Sequence, residues 1–437
     1  MRYKGFVRGW CLAGISVVGS LFCALPITSA RQVVRAVAPP TANSPLLDSL
    51  LRTDPKLTPV LRRAAEYEVQ IIYTQINRDA QNQPHFTQHT FNLNAQQYFN
   101  PASMVKLPTV ALALEKLHQL QQPGLTRRSP MATGVAHSCQ TAAPYHPSAD
   151  SDRVNTVGNY VKRMLLVSDN SAYNRLYEFL GQGPLNKRLW QLGYPNVRIT
   201  RRFAPCDTAA NRYTNPIDFY NAATGQLIYH QPQAVNSESF SMPLGHITKG
   251  KAYRTGSRLI QAPYDFTTAN YLPLQEVTTM LKAVLFPESM PSAQRFDLTS
   301  SDYAFLRRYL YSTPHSSGYR HYRSPDYFDA YKKYLYYGRN PDSLSKPSLR
   351  IFNIVGMSHG YLADVAYFAD STQNLEFMLS AVLYVNKNAI LNDGIYEYKT
   401  VGLPFLADLG HLIYQYEATR SRQFQSDLRS VFMDMDE

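Results

Sequence analysis

Ser103-Met104-Val105-Lys106 and, 65 residues further on, Ser168-Asp169-Asn170 supply a hydroxyl nucleophile, an amine, a second hydroxyl and an amide. Those groups suit acyl transfer to serine, because a serine hydroxyl is a poor nucleophile near neutral pH and needs a base or proton relay. Residues three apart on a helix share a face, so Lys106 stands beside Ser103. A serine at a helix N-terminus also lies among free backbone N–H groups that can stabilise an oxyanion. The amine must be neutral to accept a proton, and a buried position beside other cations lowers its pKa. The tetrapeptide pattern alone is common: Ser343-Leu344-Ser345-Lys346 is a second match, in a polar, proline-flanked stretch with no helical pattern.

The surrounding elements position these groups. Asn100-Pro101-Ala102 marks a helix start. Val105, Leu107, Val110, Leu114 and Leu117 make the helix apolar nearly all round, which predicts burial. Pro108 fits only because it lies near the N-terminus, with a distorted first turn. Residues 159–180 return to helical spacing, interrupted at Ser168-Asp169-Asn170 and ending at Gly181. Residues 69–76 read as a strand and 86–93 as its hairpin partner. His85 and His89 lie there without a third ligand and read as a surface pair. Residues 351–355, 364–368 and 377–385 read as three further strands, and Leu406, Leu409, Ile413 and Tyr416 mark one face of a closing helix. The fold class expected is α/β (α+β): an antiparallel sheet built from both chain ends, a helical part, and a large insertion.

The chain has 437 residues, 44% of them apolar, enough for a sizeable core. Its formal charge is +12, with Arg2, Lys4 and Arg8 at the extreme N-terminus. Residues 1–30 read as a secretory signal: these basic residues, an apolar run from Trp10 to Leu25, and small residues up to Ala30. No later segment is long and apolar enough to span a bilayer. Without the signal, Cys139 and Cys206 remain, either as one bridge in an oxidising compartment or as two thiols. The basic surface suits an anionic envelope or its polymers. No nucleic-acid motif or dense Lys/Arg run is present, and the residues call for neither metal nor cofactor.

At this point the chain resembles the class A β-lactamase-like, penicillin-recognising serine hydrolases. Residues 99–107 around Ser103 look like that family's first motif, and residues 164–174 around Ser168 like its second. The resemblance covers about 57–217 and 349–418. It implies a β-lactamase/transpeptidase-like fold in which Ser103 is acylated and Lys106 relays its proton. Ser168 would pass a proton to the leaving group and Asn170 would hold the substrate amide. Gly356, Met357 and Ser358 would border the substrate, with one of their N–H groups joining that of Ser103 as the oxyanion hole. The family's third motif, a Lys-Thr/Ser-Gly triplet, has Ile354 in place of its lysine, which would bind a substrate carboxylate. Arg254-Thr255-Gly256 matches the triplet by letters but lacks the strand and helix after it. Arg202-Phe203-Ala204-Pro205 puts Ala204 where class A enzymes carry a water-activating glutamate. A shifted register offers Asp207 as a candidate base, against a plain solvated carboxylate.

The domain organisation expected is a signal at 1–30, a flexible lead-in at 31–56, and a serine hydrolase domain at 57–224 and 349–418. A Tyr-rich insertion at 225–348 and a polar tail at 419–437 complete it. Within the insertion, residues 327–337 interleave Tyr with Lys and suggest an amphipathic helix, either packed or offering a glycan- or peptide-binding surface. The function expected is a secreted, periplasmic or extracellular serine hydrolase acting on a β-lactam, a cell-wall peptide or a related amide or ester. Its rivals are a non-catalytic envelope-binding protein and a D,D-peptidase.

Overall fold

Strands β1 (Gln70–Arg78) and β2 (Pro84–Phe91) come from the first part of the chain. Strands β3 (Leu349–Ser358), β4 (Tyr361–Asp370) and β5 (Leu375–Tyr384) come from the last. A computed structural model describes residues 36–146, 153–319, 322, 326–339 and 344–433; the signal-like segment lies outside them. The five strands form one antiparallel sheet in the order β3-β4-β5-β1-β2, with Ile71 opposite Ala381 where the two chain ends meet. The strands expected at 351–355, 364–368 and 377–385 are present; each begins two or three residues earlier than its pattern, and the last ends at Tyr384. The turn between β3 and β4 is His359-Gly360, both with positive φ (54° and 84°). That geometry suits a two-residue hairpin, because its twist matches that of the strands.

Strand β4 is buried along its whole length, because both faces of the sheet are covered. Tyr361, Val365 and Tyr367 face one core, and Leu362, Ala366 and Phe368 face the other. The longer helices are α1 (Pro45–Leu51), α2 (Lys106–Leu120), α3 (Val157–Val167), α4 (Asn170–Leu180), α5 (Gln182–Gln191), α6 (Leu274–Leu285), α7 (Ser300–Tyr311) and α8 (Leu403–Thr419). Helices α1 and α8 pack on one face, and α2 to α7 contribute to the core on the other. Leu107, Val110 and Leu114 of α2 are at most 1% exposed. At about 1.5–3 kcal/mol for each such side chain, they anchor the helix that carries Lys106.

Four segments differ from expectation. The lead-in is folded over residues 36–56: Thr41 and Ser44 donate backbone hydrogen bonds to Leu93 and Thr90, and Leu47 and Leu51 are buried. Its Pro, Ala and Ser content obscured an apolar stripe at Leu46, Leu47, Leu50 and Leu51. Segment 225–348 does not stand apart, because α6 and α7 supply Val277, Leu281 and Leu306 to the core they share with α2. Residues 327–337 form turns and one irregular helical turn, Tyr334–Tyr337, rather than an amphipathic helix. Lys332 and Lys333 point inward rather than offering a surface. Lys332 donates to the Leu165 carbonyl, and Lys333 to the carbonyls of Leu310 and Ile351 and to Asn353 Oδ1. Burial holds both amines below the usual lysine range. The described part of the tail packs on the protein, with Leu428 buried and Arg422 paired with Glu417.

Candidate active site

Ser103 lies in a 3-10 turn, Ala102–Val105, that runs directly into α2. Asn100 Oδ1 accepts the Ala102 N–H at 2.8 Å, and Ala102 takes a positive φ of 44° to bring the chain into that turn. In a 3-10 turn residues i and i+3 eclipse, which carries Lys106 onto Ser103. Helix α3 ends at Ser168, whose φ of 58° breaks the helix; its N–H still reaches the Met164 carbonyl at 3.1 Å. Asp169 then caps α4 by accepting the Ala172 N–H at 2.9 Å, and pairs with Arg163 at 2.6 Å. The capping therefore leaves the side chains of Ser168 and Asn170 free to meet Lys106.

Lys106 is 0% exposed. Its Nζ lies 2.8 Å from Ser103 Oγ, 2.9 Å from Ser168 Oγ, 2.6 Å from the Ser168 carbonyl and 2.7 Å from Asn170 Oδ1. Burial lowers its pKa to about 7, against the opposing pull of Asp169. The Phe203 ring, 5.2 Å from Nζ, covers it. Hydrogen-bond counting agrees with a neutral amine. The carbonyl and amide oxygens can only accept, so they take two N–H groups. The remaining lone pair faces two hydroxyls that can donate.

The edge strand β3 closes the site from the other side. A Cβ at Gly356 would fall 2.5 Å from the Pro101 carbonyl, so only glycine lets β3 approach the Ser103 turn this closely. Met357 and Ser358 follow and line a cavity of about 460 Å³ together with Ser103 and Asn170. Ile354 is buried and contributes no charge.

Asp207 is a correction. Its carboxylate accepts the Ala210 N–H, capping a local turn; it is exposed and does not line the cavity. Ala204 does line it. Asn211, four residues after Asp207, accepts the Arg202 N–H at 2.8 Å. Arg202 is buried against Glu178 at 2.7 Å and organises the loop. Cys139 and Cys206 are joined by a disulfide, Cα–Cα 5.6 Å, that ties this loop to the segment before α3. Arg201, Tyr264, Asn270 and His359 also line the cavity, and sequence reasoning gave them no role. His359 had a signal: a His-Gly pair between two strand patterns marks a turn immediately after Met357-Ser358. The others come from distant loops with no local signature.

Fold and site together define an α/β protein with the equipment of a serine acyl-transfer centre. Residues 53–255 match the β-lactamase enzyme family, a span that holds both serine motifs. Over that span the chain is similar to the β-lactamase enzyme family, as its motifs imply. Solved structures similar to it include the β-lactamase from Sphaerobacter thermophilus (11% identity over 86% of this chain and 98% of that one, TM-score 0.45). Another is a β-lactamase from Burkholderia vietnamiensis (11%, 84% and 96%, TM-score 0.46). A third is the class A β-lactamase from Clostridium kluyveri (13%, 83% and 98%, TM-score 0.41). No curated protein matches the chain.

Proposed function

We propose that the protein is a serine hydrolase of amides or esters that works through an acyl-enzyme on Ser103. The observation that carries this reading is Lys106 Nζ, buried, lowered in pKa to about 7, and within 2.9 Å of both Ser103 Oγ and Ser168 Oγ. In the reaction, neutral Lys106 takes the Ser103 hydroxyl proton as Oγ bonds to the substrate carbonyl carbon. The oxyanion is held by backbone N–H groups of Ser103 and Met357. The proton returns through Ser168 to the leaving nitrogen or oxygen as its bond to carbon breaks. Asn170 orients the substrate amide. Water then cleaves the acyl-enzyme. With Ala204 in place of a carboxylate, that second step is slow.

The signal-like residues 1–30 and the Cys139–Cys206 disulfide favour export to an oxidising compartment, where cell-wall peptides are available substrates. Ile354 and Ala204 favour a second reading, a non-catalytic envelope-binding protein. Thiol release from an activated thioester separates the two. Under our reading, Ser103→Ala slows release by about a thousandfold or more. Equal release by wild type and variant would overturn it.

A further inference from the structure

The cavity has one charge with nothing to balance it. No Asp or Glu is among its lining residues. Of its two arginines, Arg202 is spent on Glu178 and on carbonyls of its own loop. The Arg201 guanidinium makes no hydrogen bond or ion pair with any described residue. It nevertheless acts on its surroundings: burial, with a smaller push from Arg201, holds the neighbouring His359 down to about 4, so that ring is neutral and leaves Arg201 as the cavity's available cation.

Backbone hydrogen bonds fix the segment that carries this cation. The Arg201 carbonyl accepts the Tyr173 O–H at 3.0 Å, and the Phe203 N–H donates to Asn174 Oδ1 at 2.8 Å. Tyr173 and Asn174 lie three and four residues after Asn170 on α4, one turn along the helix. From the other side, Asn270 Oδ1 accepts the N–H groups of Thr200 (2.8 Å) and Arg201 (3.3 Å). The backbone of Arg201 is thus strapped to α4, the helix that carries Asn170, and its side chain lines the cavity; in the proposed reaction the Asn170 side receives the acyl half of the substrate. On the leaving-group side, Ile354 offers no cation.

We propose that Arg201 is an anion subsite for the acyl half of the substrate. The substrate class is then an amide or ester whose acyl portion carries a carboxylate, such as a peptide with a free carboxyl group near the scissile carbonyl. A guanidinium pairs with a carboxylate through two parallel hydrogen bonds, and in a partly buried cavity such a contact discriminates strongly. This inference rests on the acyl-enzyme reading above, because that reading defines which side is the acyl side.

The test uses three thioesters of one skeleton: one with a carboxylate on the acyl half, one with it on the leaving thiol, and one neutral. Acylation is followed by thiol release and by the mass of the protein. Wild type should favour the acyl-side acid over the neutral compound by about ten- to a hundredfold in kcat/KM. The leaving-side acid should gain no such advantage. In Arg201→Gln the preference ratio should collapse toward one, and Arg201→Lys should retain part of it. A wild-type ratio near one, an equal preference for the leaving-side acid, or a ratio unchanged in Arg201→Gln would overturn the subsite while leaving the acyl-enzyme intact. Failure of all three compounds to acylate Ser103 would overturn the acyl-enzyme reading, and this inference with it.

Discussion

At the residue scale the account turns on Lys106, whose four oxygen neighbours leave it two N–H donors and one lone pair when neutral. Protonation removes the lone pair, and burial sets that event near pH 7. Acylation of Ser103 should therefore rise with pH through about 7 and level off above it, as adduct-formation rates between pH 5 and 9 will show. A stability effect has the same origin. The folded pKa lies below the unfolded one, so the unfolded chain binds more protons between about 7 and 10.5, and this group makes the fold more stable as pH rises through that window. In the proposed reaction Ala204 bears on the other half, deacylation. Ala204→Glu should shorten the lifetime of the acyl-enzyme, read as faster decay of the adduct mass; an unchanged lifetime would exclude position 204 as the missing base. The residues of the central contact were legible because each pair is set by local spacing. Arg201 and Asn270 were not, since 69 residues separate them and only the folded loops bring them together.

At the element scale, two close approaches hold the site in register. Strand β3 meets the Ser103 turn at Gly356, and a methyl group there meets the Pro101 carbonyl. Gly356→Ala should cost about 1–3 kcal/mol in urea unfolding and slow acylation, because the strand that presents Met357 must shift. The loop from Arg201 to Cys206 is tied down by its disulfide across 67 residues. Cys139→Ser with Cys206→Ser should lower stability by about 2–5 kcal/mol, measured the same way, and weaken acylation as Phe203 loosens over Lys106. Strand and helix patterns announced most elements correctly. They failed where composition masked pattern: the folded lead-in looked like a linker, and the Tyr/Lys stretch looked helical. In the latter, carbonyls at the ends of other elements draw Lys332 and Lys333 inward, an attraction no local period encodes.

At the scale of the whole molecule, a sheet assembled from both chain ends separates two cores, and the groups proposed to be catalytic sit where α2, the α3–α4 junction and the edge strand converge. The segment between Ser168 and Ile354 in sequence is part of this construction, because α6 and α7 fill the core beneath α2. The sheet was foreseeable from its terminal strands; the integration of 225–348 was not, because its helices carry no catalytic motif and its tyrosines drew attention to the surface. The central claim, a Ser103 nucleophile with slow deacylation, is most directly tested by intact-mass spectrometry. The protein would be incubated with a penicillin whose acyl side chain carries a carboxylate, beside Ser103→Ala. The account predicts a long-lived adduct of one drug mass on the wild-type chain and none on the variant. An adduct that survives Ser103→Ala, or neither adduct nor drug consumption across the pH range above 7, would contradict it.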